Sequence, residues 1–166
     1  PFWRAEVPRI ALHHAGVSFE DVRLDWAAFC ALRDQDAFPY RQVPVLEVDG
    51  EVVAQSAAIA RFCGRLGGLY PEDAFHAAVV DELLDCLSEV NYLVTPSVRE
   101  RDPERRAAMR AELATHTLPK WLSRVEERLA SLSPNPWVIG AEMTIADLAL
   151  WRFGAWMSGG ILDGIP

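Results

Sequence analysis

Residues 39–62 read PYRQVPVLEVDGEVVAQSAAIARF, and the reading of this stretch decides the fold. Val43–Val48 and Val52–Ala54 are apolar runs of strand character flanking Asp49-Gly50. Asp-Gly between two such runs predicts a β-hairpin, because both central residues of a type I′ turn need positive φ. After Ala54 the apolar period changes from two to that of a helix. Ser56 stands at the handover as the expected N-cap of a helix running to about Leu66, stopped by Gly67-Gly68.

Two features of the same stretch bear on ligand binding. Pro44 has no N–H to give to a ladder, which confines it to an edge or a bulge. One reading is a trans proline in an ordinary edge strand, since only about 5–6% of X-Pro bonds are cis. The other is a cis Val43–Pro44 bond that turns the N–H and C=O of Val43 outward, toward an extended peptide. Ser56 likewise has two readings: a cap worth about 1 kcal/mol, or, with Gln55, an anion site at a helix N-terminus. A hairpin joins the two features. Together they offer backbone pairing and a carboxylate clamp, which suits a small acidic peptide.

Working outward, residues 4–15 predict a helix with Val7, Ile10, Ala11 and His14 on one stripe. Pro8 places its start near Trp3–Ala5 and Gly16 ends it. Ser18–Leu24 alternates like a strand, and a long irregular segment follows. From Pro71 onward only helical patterns remain. Glu72–Leu93 reads as one long helix with Phe75, Val79, Leu83 and Leu87 on its stripe. Asp102-Pro103 starts a helix to about Leu132, bent at Pro119. Thr144-Ile145-Ala146-Asp147 is a capping box opening a helix that stops at Gly159-Gly160. The expected organisation is an α/β domain over 1–66, a linker over 67–71 and an all-α domain over 72–166.

Composition excludes several function classes. The chain has 166 residues, 51% hydrophobic, with 24 acidic against 16 basic side chains and a net charge of −8. Such a balance repels a phosphate backbone, so nucleic acid is not an expected partner. The stretch Arg99–Arg110 alternates with Glu100, Asp102 and Glu104, as a solvated helix face does. Cys30, Cys63 and Cys86 form no Cys-x-x-Cys pair, which argues against a disulfide framework or a zinc site and favours a reducing compartment. No apolar run approaches the roughly 18 residues of a membrane span. His13 and His14 are adjacent on a helix and cannot share a face, so no metal pair is expected.

The ordered set of motifs resembles the cytosolic glutathione transferases, in particular the sigma-like group to which glutathione-dependent prostaglandin D synthases belong. The resemblance rests on Gln-Val-Pro-Val-Leu, the Asp-Gly hairpin and Gln-Ser-x-Ala-Ile-x-Arg. It extends to Arg4-Ala5-Glu6 with Arg9, to Gly16-Val17-x-Phe19-Glu20-Asp21, to Trp137-Val138-Ile139-Gly140 and to the Thr144–Asp147 box. It implies a thioredoxin-like α/β domain followed by an all-α domain, glutathione as co-substrate, a cytoplasmic homodimer and a small hydrophobic electrophile as second substrate. Val43, before the family's cis-proline at Pro44, would pair with the cysteinyl residue, and Gln55 and Ser56 would hold the γ-glutamyl end. Trp26 and Gln42 match positions at the glycyl end, although Trp26 equally suits a loop anchor. Asp85 matches an acid that reaches the γ-glutamyl amine from a partner subunit, or is one carboxylate on a solvated face. Phe2, Trp3 and Tyr92 are candidates for the electrophile pocket, and Asp147 is expected to be a structural cap.

In this family a hydroxyl, Tyr in the sigma-like group, donates a hydrogen bond to the glutathione sulfur from the end of the first strand. A free thiol has a pKa near 8.5, and stabilising the thiolate by two units takes about 2.7 kcal/mol. The matching residue would fall upstream of Pro1, and Tyr40, Tyr70 and Tyr92 stand elsewhere. Phe2-Trp3 also replaces the Arg-Gly that commonly precedes Arg-Ala-Glu. The expectation is therefore an internal fragment lacking the first strand and the C-terminal end. The alternative is a glutathione-transferase-like binding or scaffold module without catalysis.

Overall fold

The structure is a computed structural model that describes residues 4–132, 135–160 and 162–165. The chain divides into two compact units, Pro1–Tyr70 and Pro71–Pro166.

In the first unit, α1 (Glu6–His14) packs against α3 (Ser56–Leu66), and a two-stranded antiparallel sheet of β1 (Val45–Val48) and β2 (Glu51–Ala54) packs on α3. The hairpin register pairs Val45 with Ala54 and Val48 with Glu51. Asp49 and Gly50 take φ of 52° and 84°, as a type I′ turn requires. The core lies between the two helices: Val7, Ala11 and Leu12 face Ile59, Ala60 and Cys63, all 6% exposed or less. The buried face of α1 is thus Val7, Pro8, Ala11 and Leu12. The expected stripe is half wrong, because His14 is exposed and Ile10 only half-buried.

Two further expectations in this unit are corrected. Ser18–Leu24 forms no strand, since among the described residues no neighbouring strand offers it a ladder. Side chains tie it down instead: Arg9 Nε donates to Asp21 Oδ1 at 2.9 Å and Arg23 Nε to Asp21 Oδ2 at 2.7 Å. The segment expected to be irregular holds a helix, α2 (Trp26–Asp34), whose N-cap Asp25 accepts from the N–H of Ala28 at 2.8 Å. No residue of α2 is buried, so it carries no apolar stripe by which to be recognised.

The second unit is helical. α4 (Ala74–Arg99) starts at Asp73, whose carboxylate accepts from the N–H of His76, and runs six residues past the expected end. Its buried stripe runs through Val79, Leu83, Leu87, Val90 and Val94, whereas Phe75 is 71% exposed and lies off it. α5 (Pro103–Glu112) begins at Asp102-Pro103 and hands over to α6 (Leu118–Leu132) through a wide π-type turn, Leu113–Thr117. The break expected at Pro119 falls in the turn before it. Pro119 has no N–H for the carbonyl four residues back, and the backbone re-pairs by widening. α7 (Ile145–Ser158) packs against α4. Its cap is a closed set: Asp147 accepts from the N–H of Val138 at 2.8 Å, the N–H of Thr144 at 2.7 Å and the Thr144 hydroxyl at 2.9 Å. Asp147 is a cap, as the sequence implies.

Arg110 departs from the solvated face expected over Arg99–Arg110. It is 4% exposed.

Candidate functional site

The hairpin builds the site. Its register, continued two residues past the Val45–Ala54 pair, sets Val43 across from Ser56 and Pro44 across from Gln55. Both strands leave the ladder at this point. The Val43–Pro44 peptide is cis. Val43 is 44% exposed, and neither its N–H nor its C=O has a backbone partner among the described residues.

On the other side, Gln55 takes φ 73° and ψ 119°, a region that costs a side-chain-bearing residue on the order of 1–3 kcal/mol. This corrects the expected cap. Gln55, not Ser56, occupies the N-cap position of α3, and its side chain makes no capping bond. Ser56 is already the first helical residue. The first intrahelical bond is Ile59 N–H to Gln55 C=O at 3.0 Å, so the N–H groups of Ser56, Ala57 and Ala58 precede the ladder. The strained bend thus directs an uncapped helix N-terminus, with its partial positive charge, into the same recess as Val43.

That recess measures about 240 Å³ including its open mouth. Of the residues singled out from the sequence, Gln42, Val43, Pro44, Gln55 and Ser56 line it together. Trp26 does not: it is 74% exposed on α2, its ring 5.5 Å from that of Phe29. Asp85 lies on the exposed face of α4 in the second unit. Phe2 and Trp3 fall outside the described residues, and Tyr92 is 79% exposed on α4. Four lining residues were not singled out, Arg4, Pro39, Tyr40 and Ala54. Arg4 brings a second positive charge, and its membership of Arg-Ala-Glu was the available signal. Tyr40 sits at φ 58° with Arg41 beside it at 53°, a conformation unreadable from residues other than glycine.

A cationic recess pairing an uncapped helix N-terminus with a free peptide edge is built for a small extended molecule ending in a carboxylate. Among the described residues no group of His, Cys, Asp or Glu is placed to hold a metal ion, and no described helix is long and apolar enough to cross a membrane.

Comparison with known proteins defines the class. Residues 1–65 match the family model of the glutathione S-transferase N-terminal domain, and residues 89–158 that of the glutathione S-transferase C-terminal domain. The chain belongs to the glutathione S-transferase family. It is 37% identical over 151 residues to glutathione S-transferase 1 of Ascaris suum, covering 87% of this chain and 70% of that one. It is 30% identical over 144 residues to hematopoietic prostaglandin D synthase of Gallus gallus, covering 87% and 69%. Among solved structures, prostaglandin synthase D of Nilaparvata lugens superposes with a TM-score of 0.81 at 25% identity, over 96% of this chain and 80% of that one. A glutathione transferase of C. elegans does so at 0.82 and 28%, over 98% and 80%. The sigma-like resemblance is borne out. The fold is that of the family, a small thioredoxin-like α/β domain followed by a helical one, and the family's enzymes use glutathione as co-substrate.

Proposed function

We propose that the recess is the glutathione site of an enzyme that activates the glutathione thiol and delivers it to a small hydrophobic electrophile, by conjugation or isomerisation. Val43 pairs its backbone with the cysteinyl residue. Ser56, with its hydroxyl and N–H at the start of α3, takes the γ-glutamyl carboxylate, and Gln55 supplies donors beside it. Gln42 serves the glycyl end, and Trp26, which stands outside the recess, is the family-matched candidate for the same end. Phe2, Trp3 and Tyr92 belong to the electrophile side. The working form is a cytoplasmic homodimer in which Asp85 reaches the γ-glutamyl amine of the partner's ligand. The domains divide as 1–66 and 72–166 about a linker.

The observation that supports this reading above all others is the positive φ of Gln55. It sets an uncapped helix N-terminus opposite Val43, and strain of that kind survives where a ligand uses it. Retention on immobilised glutathione tests the site. Ser56→Ala and Gln55→Ala are each expected to elute at clearly lower free glutathione than the unsubstituted protein. Retention unchanged by both substitutions removes the assignment.

A further inference from the structure

Arg110 is not among the residues lining the recess, yet it is the centre of a hydrogen-bonded knot inside the second unit. Its Nε donates to Ser97 Oγ at 2.6 Å. Its Nη1 donates to the backbone oxygen of Asp163 at 3.1 Å and to Asp163 Oδ1 at 3.2 Å. Ser97 is fully buried just past Pro96, in the last turn of α4, and donates its own proton to the Val94 carbonyl at 2.8 Å. Asp163 belongs to a turn over 162–165 closed by Ile165 N–H to Leu162 C=O at 3.1 Å. Leu162 and Ile165 are 3% and 7% exposed, while the Asp163 side chain is 75% exposed. Arg106 Nε stands 3.8 Å from Asp163 Oδ2, a looser second contact.

We propose that Arg110 is a latch that couples the turn 162–165 to the last turn of α4, so that the two loosen together. The physical reason is the cost of an unpaired buried charge. If the turn lifts, the guanidinium loses both bonds to Asp163 and is left buried with a hydroxyl alone. It then follows the carboxylate outward and leaves Ser97 Oγ, or stays and pulls on it. In either case the end of α4 registers the state of a turn more than 60 positions away in the chain. Only a planar fork serves both partners at once; a lysine ammonium on its flexible stem does not.

Amide hydrogen exchange of the protein separates this coupling from plain stability. Asp163→Asn is expected to speed exchange at Ile165 by about tenfold and to speed the last turn of α4, at Val98 and Arg99, while Leu83 and Leu87 in mid-α4 stay at their original rates. Ser97→Ala is expected to speed Ile165 from the other side. In Arg110→Lys the two ends are expected to be independent, so adding Asp163→Asn no longer affects Val98. Three results overturn the latch: Ile165 unmoved by Asp163→Asn, Ile165 faster with Val98 and Arg99 unmoved, or Leu83 and Leu87 accelerated by the same factor as the turn.

Discussion

Arg128 grips Glu82 with two parallel hydrogen bonds of 2.8 Å, Nε to Oε1 and Nη2 to Oε2, and so ties α6 to α4 across 46 positions of sequence. The bond from Arg128 is the main reason the Glu82 carboxyl is held below the usual carboxylate range. Both side chains are more than two-fifths exposed, so solvent screens much of their attraction. A carboxyl whose pKa is lowered by folding adds stability above its unfolded pKa of about 4.3 and loses it as pH falls through the folded value. Thermal melts of the protein and of Glu82→Gln are therefore expected to differ by a few degrees at pH 7 and to converge in acid. A gap that persists at pH 3 assigns the effect to something other than this charge.

Cys63 is fully buried on α3, and burial pushes its thiol up to about 11. Folding therefore favours the protonated thiol, and that preference is fully present below the unfolded value of about 8.5 and lost as pH climbs toward 11. Unfolding free energy is expected to decline over this alkaline window and to decline less in Cys63→Ala. The same burial makes Cys63 the slowest of the three cysteines toward a thiol reagent, since Cys30 and Cys86 are only half-buried. Mass spectrometry of briefly labelled protein with Cys63 modified first contradicts this.

Asp147 accepts three hydrogen bonds in a partly buried cap, and removing it strands two backbone donors. Asp147→Ala is expected to cost about 2–3 kcal/mol in urea unfolding. A loss below about 0.5 kcal/mol means that water replaces the carboxylate.

Gln55→Gly divides stability from binding. Glycine adopts φ 73° without a Cβ penalty, so the substitution is expected to leave stability unchanged or raise it by about 1 kcal/mol. It also deletes the side-chain donors beside Ser56, so retention on immobilised glutathione is expected to fall. A variant both less stable and equally retentive contradicts the reading of this bend as strain kept for a ligand.

Gly50 holds φ 84° at the tip of the hairpin. Gly50→Ala is expected to cost about 1 kcal/mol or more, because the turn forbids the change it requires. It is also expected to weaken glutathione retention, since the hairpin register is what aligns Val43 with Ser56.

Local signals carried most of the fold. Asp49-Gly50, the Thr144–Asp147 box and Asp102-Pro103 each solve a backbone problem within a few residues, and each was legible. Signals that depend on a distant partner were not. Ser18–Leu24 alternates like a strand, but alternation supplies no neighbour. Arg110 reads as a surface arginine because Ser97 and Asp163 lie 13 and 53 positions away. In the candidate site, Val43, Pro44, Gln55 and Ser56 were legible through one hairpin and its two flanks, and Gln42 only through the family resemblance. The strained backbone of Gln55 and Tyr40 was not, because neither residue advertises positive φ as glycine does.

The wide turn at Leu113–Thr117 has a consequence for phase. A helix advances about 100° per residue, so a turn holding one extra residue sets everything after it about 100° out of step with what came before. On an uninterrupted wheel Leu118 and Val125, the residues of α6 that are buried, would stand roughly 80° and 60° from Arg110 on α5; the extra residue brings them back to roughly 20° and 40° from it, onto one face. A single helical wheel drawn from Pro103 to Leu132 points one half of this segment the wrong way. Two wheels joined at the turn Leu113–Thr117 describe it, and any chain that dispenses with Pro119 and its wide turn must also shed a residue to keep both faces inward.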